Sequence, residues 1–108
     1  MSAAYVLTKA AAADLREIVR YTRKQWGRDQ ALSYVSRLKY DIEQLVADDG
    51  VGKDISALYP GLRMVHCQHH YIFCLPQSDT PALVVAILHE RMDLITRVAN
   101  RLLSRSGS

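Results

Sequence analysis

Seven consecutive apolar residues, Ala82-Leu-Val-Val-Ala-Ile-Leu88, followed by His89, form the longest apolar run in the chain. A strand with one wet face alternates polar and apolar side chains. A strand apolar on both faces needs cover on both, which places it in the middle of a sheet. The run is far below the roughly 20 residues that span a bilayer. Pro81 precedes it and Glu90-Arg91 follow it, so Ala82–His89 is predicted as a central strand. The rest of the chain must supply its neighbours and two covering layers.

Two helices are predicted ahead of it. Ala4–Leu7 reads as a short strand, and Thr8 is placed to cap the helix that follows. Over Lys9–Gln25, residues Leu15, Ile18, Val19 and Thr22 share one face at helical spacing. Arg16, Arg20, Arg23 and Lys24 lie mostly on the other side. Gly27 sits just past the last residue, in the position that favours glycine. A second helix starts at Arg28 or Asp29, with Ala31, Tyr34, Val35, Leu38, Ile42, Leu45 and Val46 as its apolar stripe. It ends at Asp48-Asp49-Gly50. A break of only two or three residues makes the pair an antiparallel αα-hairpin.

Val51–Pro60 reads as the main loop. Leu62–Cys67 and His70–Leu75 read as strands joined by a turn near Gln68-His69, and Gln77–Pro81 leads into the apolar run. Asp93 caps a last helix, Leu94 to about Leu103, and residues 104–108 are expected to be a disordered tail. The order is β-α-α-β-β-β-α in a single domain, residues 1–108. Counting one reversal per connection predicts an α+β fold whose sheet is antiparallel throughout. The helical hairpin covers one face. The other face is left to the last helix or to a partner.

Composition narrows the function classes. With 49% hydrophobic and 23% charged residues, the chain reads as an ordinary globular domain. The start, Met1-Ser-Ala-Ala-Tyr, carries no basic segment followed by an apolar run, so a cytoplasmic location is expected. The net charge of +3 fits an acidic partner or a nucleic acid and selects neither. A turn near Gln68-His69 puts Cys67 and Cys74 out of register, so both are expected as free, buried thiols. His66, His69 and His70 invite a metal, but adjacent His69 and His70 point to opposite strand faces, and no Cys or carboxylate completes a tetrahedron. No metal and no cofactor are expected. Gly50-Val-Gly52 lacks the Lys-Ser/Thr and the helix of a phosphate loop.

Several segments, taken in order, resemble the RelE/ParE toxin superfamily and its ParE branch. They are Tyr5-Val-Leu-Thr8 with Ala13-Asp-Leu15, Ile18 and Tyr21; Trp26-Gly27 with Gln30-Ala31 and Tyr34; Gly61-Leu62-Arg63; Tyr71-Ile-Phe73; and Ile87-Leu-His89-Glu-Arg-Met-Asp93. The resemblance covers residues 4 to 95. It implies the toxin of a type II toxin–antitoxin module. ParE-like toxins inhibit DNA gyrase by binding it and are neutralised by a ParD-like antitoxin in a heteromeric complex. The RelE branch instead cuts mRNA on the ribosome, and a third possibility is a regulator that binds an antitoxin without toxicity. One fold serves both branches, so the residues must decide.

RNA cleavage of the RelE kind needs a general base or acid and clustered cations at the scissile phosphate. This chain has no Tyr after Tyr71, and its lysines, Lys9, Lys24, Lys39 and Lys53, are scattered. No enzymatic activity and no catalytic residue are therefore expected. His89 reads either as a general base beside Arg91 or as a structural ring bonded to nearby backbone or to Asp93. The expected target-binding residues are Arg63, His89, Arg91, Met92, Arg97, Arg101 and Arg105. The last three arginines fall at steps of four, as a basic stripe on the final helix. The Trp26-Gly27 turn and the Arg16, Arg20 and Arg23 face are second candidates. No aromatic residue interleaves the stripe, and sequence-specific nucleic-acid binding is not expected.

Overall fold

The computed structural model describes residues 5–47, 52–77 and 80–107, with side chains through Leu103. Its elements are β1 (Tyr5–Leu7), α1 (Lys9–Trp26), α2 (Arg28–Val46), β2 (Lys53–Asp54), β3 (Arg63–Cys67), β4 (His70–Leu75), β5 (Ala82–His89) and α3 (Leu94–Gly107). The α+β class and the helical hairpin stand as expected. The α3 helix continues past Leu103 into what the sequence suggested was a tail. The Asp48-Asp49-Gly50 stop lies outside the described residues.

Local chemistry sets the hairpin. Thr8 Oγ1 accepts the Ala11 N–H at 3.1 Å and caps α1. Gly27 alone separates the helices. Its φ of 95° is a conformation that side-chain-bearing residues rarely adopt, and its N–H donates to the Arg23 carbonyl at 3.0 Å. The α2 stripe buries Ala31, Leu38, Ile42 and Leu45, while Tyr34, Val35 and Val46 are half-buried.

The sheet runs β1-β5-β4-β3-β2, with β5 interior as its two apolar faces require. One expectation is corrected: the sheet is mixed, because β1 pairs with β5 in parallel, Tyr5 opposite Ala82 through Leu7 opposite Val84. The cause is β2. This two-residue strand pairs antiparallel with β3 and adds one chain reversal before it. The extra reversal turns β5 to run alongside β1 rather than against it.

Both faces of the sheet are covered. Leu38, Ile42, Leu45, Ile72, Val84 and Ile87 pack on the hairpin side. Phe73, Val85, Ala86 and Leu88 pack with Val98 and Leu102 of α3 on the other, helped by Ile55, Leu58 and Tyr59 of the loop. Each fully buried Leu, Ile or Phe contributes about 1.5–3 kcal/mol over its exposed state. The change from Phe73↔Ala86 to Cys74↔Val84 leaves Val85 as an extra residue in β5. This bulge puts Val85 and Ala86 on the same side and breaks the alternation.

Candidate functional site

The end of β5 and the β3–β4 turn lie level, because Cys67, His70 and His89 are paired across three strands. The Glu90 N–H donates to the His69 carbonyl at 2.9 Å, and the Met92 N–H to the His89 carbonyl at 3.0 Å, so the chain turns sharply after β5. Asp93 Oδ1 then accepts the Thr96 N–H at 3.4 Å at the start of α3. All four histidines of the chain collect at this corner.

Glu90 is shared by two of them. Its Oε1 lies 3.0 Å from His66 Nε2 and its Oε2 lies 3.1 Å from His69 Nδ1. These bonds, His69 first and then His66, hold the Glu90 carboxyl below the usual range. The His66 ring stacks on Tyr71 at 4.2 Å. Tyr34 accepts the His69 N–H at 3.3 Å and its hydroxyl lies 2.6 Å from His70 Nδ1. Burial drives His70 down to about 4, and the neighbouring His89 and His69 push the same way. His70 is therefore neutral near pH 7. His89 Nδ1 accepts the Arg91 N–H at 3.1 Å, the backbone-bonding role that made it a structural candidate. Among the described residues no group of three His, Cys, Asp or Glu is arranged to hold a metal ion.

Beside the corner runs a groove of about 690 Å³, lined by Asp14, Tyr21, Trp26, Tyr34, His89 and Met92 among others. Trp26 is 70% and Tyr21 64% exposed. Neither Lys nor Arg lines the groove among the described residues. A phosphodiester held there would meet hydrogen-bond donors and aromatic faces but no cation.

The expected target-binding residues separate in space. Arg91, Met92 and Arg97 are exposed around the turn and the start of α3. Arg63 stands apart from them: it pairs in register with Cys74, at the strand end away from the Cys67–His70–His89 row, and its Nη2 reaches the Gly52 carbonyl at 3.4 Å. The side chain of Arg105 lies outside the described residues.

Arg101 is a second correction. It does not belong to an exposed stripe with Arg97. It binds Asp14 through two nitrogens, at 2.6 and 2.9 Å, and donates to the Val85 carbonyl at 3.1 Å. Asp14 in turn accepts the Ile87 N–H at 2.9 Å. The side chains are 24% and 14% exposed. Past Val84, where β1 ends, the pair thus collects backbone groups of β5 that no neighbouring strand takes. The Asp14 bonds raise the Arg101 pKa further, so it stays charged at any pH the fold survives.

The profile of the ParE toxin of type II toxin–antitoxin system, parDE, matches residues 5–94. Toxin ParE of Escherichia coli is 59% identical over 99 residues, covering 92% of this chain and 96% of that protein. The chain belongs to the ParE toxin family. Toxin ParE1 of Mycobacterium tuberculosis is 35% identical over 94 residues, 87% of this chain and 96% of that protein. A solved chain from the chromosomal ParDE toxin–antitoxin system of P. aeruginosa superposes with a TM-score of 0.63 at 20% identity. It covers 80% of this chain and 96% of that one, which bears on the fold alone.

Within this ParE fold, sequence reasoning missed the Tyr34–His70 bond and the Glu90 bridge. The sequence grouped His66, His69 and His70 only as metal candidates and gave no reason to bring Glu90 to them. The cysteines stand as expected: both are free and buried, and burial pushes Cys67 up to about 12 and Cys74 to about 11.

His70 makes the ParE fold acid-sensitive. In the unfolded chain it takes a proton near its ordinary value of 6.5; in the fold it resists until about 4. Between these values the unfolded state holds more protons, so stability falls as pH falls and levels off below the window. Tyr34, His69, His89, Glu90 and Asp14 all face or influence this ring. Solvent still reaches it, so the expected loss is about 1–2 kcal/mol between pH 7 and pH 4.5. Chemical denaturation at those two pH values checks this, and His70→Gln should flatten that part of the profile.

Proposed function

We propose that this chain is the toxin of a type II module that inhibits DNA gyrase by binding it in the cytoplasm, and that a ParD-like antitoxin neutralises it. The observation that carries the reading is the chemistry of the corner. Arg91, Met92 and Arg97 are exposed there, while among the described residues the adjoining groove has no lining cation for a scissile phosphate. His70 is neutral and His89 has one ring nitrogen committed to backbone. Exposed arginine with a flexible apolar side chain suits a protein interface. It does not supply the base and cation set that RNA cleavage needs. The His66–Glu90–His69 bridge holds the turn in place beneath these residues.

Supercoiling of relaxed plasmid by purified gyrase tests the proposal: adding the chain should stop it, and prior addition of antitoxin should restore it. Cleavage is tested separately. Induction in cells should generate no new mRNA 5′ ends by primer extension, and His89→Ala should leave toxicity within about fivefold of wild type, because a local backbone contact is worth only about 1 kcal/mol. Codon-phased cuts that disappear in His89→Ala would assign the chain to the ribosome-dependent endoribonucleases instead.

A further inference from the structure

Trp26 and Tyr21 of α1 both line the groove beside the histidine corner, and both are mostly exposed. Rings of this size are usually buried to a large extent, and exposed rings set close together mark a contact surface. Half-buried Tyr34 lines the same groove, as does exposed Met92 from the corner. Besides its histidines, the charged residues described in the lining are Asp14 and Glu17, both acidic. Arg16, Arg20, Arg23 and Lys24 of the same helix line a different flank. Asp14 is matched by Arg101. Glu17 contacts Arg20 at 3.1 Å, an exposed surface pair of little strength, so its carboxylate is available to a ligand. Of the histidines, His70 is neutral, His69 is bonded to Glu90, and His89 Nδ1 accepts a backbone N–H. Glu17 and Tyr21, four residues apart, stand one above the other at about 6 Å, and Trp26 lies about 7.5 Å further along the helix axis.

We propose that this groove belongs to the target interface and receives an arginine side chain of the target, stacked on Trp26 and Tyr21 with its guanidinium directed to Glu17. The inference rests on the proposed function, since it takes the target to be gyrase. Two observations select the occupant. The first is continuity: Met92 and His89 line the groove and also belong to the corner with Arg91 and Arg97, so a partner seated on that corner overhangs the groove. The second is charge. Aromatic faces beside a carboxylate attract a cation, and tryptophan is the strongest of the aromatic side chains in this role. Arginine fits better than lysine, because its planar fork stacks on a ring and meets a carboxylate at the same time. A nucleic acid fits poorly, because its phosphates would face Glu17 and Asp14 with no cation among the described lining residues. The matching epitope therefore carries carboxylates opposite Arg91 and Arg97 and an arginine beside them.

The test measures the apparent inhibition constant of the full chain against gyrase supercoiling. The variants are Trp26→Ala, Trp26→Leu, Trp26→Phe and Glu17→Lys, with Tyr40→Ala as a control: Tyr40 is an exposed ring of α2 outside the groove lining. Trp26→Ala should raise the constant at least roughly 30-fold, as truncation of a central aromatic anchor does. Trp26→Leu keeps an apolar side chain without a ring and should raise it at least roughly tenfold, whereas Trp26→Phe keeps a ring face and should stay within about fivefold. Glu17→Lys should raise it at least roughly tenfold by repelling the arginine, and the control should stay within about twofold. All midpoints should lie within about 4 °C of wild type, since the altered side chains are exposed. Normal inhibition by Trp26→Ala and Glu17→Lys would overturn the groove assignment and leave the proposed function standing. Equal inhibition by Trp26→Leu and Trp26→Phe would make the contact merely apolar and overturn the arginine. Variants that inhibit gyrase normally but lose affinity for the antitoxin by calorimetry would give the groove to the antitoxin and overturn the inference. Failure of the wild type to inhibit gyrase at all would overturn the proposed function together with it.

Discussion

Arg101→Ala is expected to lower the unfolding free energy by about 2–4 kcal/mol, whereas Arg97→Ala, four residues earlier on the same helix, should change it by less than about 0.5 kcal/mol. The contrast follows from what each side chain holds. Arg97 is exposed. Arg101 is three-quarters buried, holds Asp14 at two points and occupies the carbonyl of the bulge residue Val85. Truncation leaves the Asp14 carboxylate partly buried without its cation and leaves a strand carbonyl without its donor. In a domain of this size the midpoint should drop by roughly 10–20 °C. Asp14→Ala should do comparable damage, since it also releases the Ile87 N–H. The double variant should cost clearly less than the sum, because each single change already breaks the shared contact. Thermal melts of the three variants measure this. A midpoint for Arg101→Ala within about 2 °C of wild type would show that the pair is ornamental.

Arg91→Glu combined with Arg97→Glu should leave the melt nearly unchanged and abolish growth inhibition. Surface charges add at most about 1 kcal/mol to folding. The same groups weigh far more in a desolvated interface, where arginine is often among the few dominant residues. Reversing two of them replaces attraction by repulsion, so the apparent inhibition constant against gyrase should rise at least roughly 100-fold. Combining Arg97 with Arg101 would confound the two effects, because the second change itself destabilises the fold. Colony counts after induction, paired with melts of the purified variants, separate lost contact from lost fold. A folded double variant that kills as well as wild type would remove this corner from the target interface. The Trp26-Gly27 turn, with Trp26 exposed, would then be the next place to look.

The parts legible in the sequence are those set by local pattern. β4 and β5 begin and end where their apolar runs do, and Thr8 and Gly27 mark the limits of α1 because caps act over three or four residues. β2 was invisible: Lys53 and Asp54 are both exposed and carry no apolar signal, yet they reverse the chain and make the sheet mixed. The Asp14–Arg101 pair was invisible for another reason. Its partners are 87 residues apart, and a step of four from Arg97 placed Arg101 on a solvent stripe. Helical spacing fixes which residues share a face; it does not fix which face finds an unpaired strand edge. The histidine corner was half legible. The register of a turn at Gln68-His69 follows from the strands, but Glu90 reaches back to that turn only because β5 ends level with it.

The most direct measurement is a titration of gyrase supercoiling against the molar ratio of this chain to gyrase, without ribosomes or mRNA. A protein that acts by binding must be present in at least stoichiometric amounts. Inhibition should therefore grow in proportion to the ratio, become complete only at or above one, and reverse when antitoxin is added in excess. Full supercoiling at a large excess of folded chain, with toxicity in cells intact, would contradict the account, as would complete inhibition at ratios far below one.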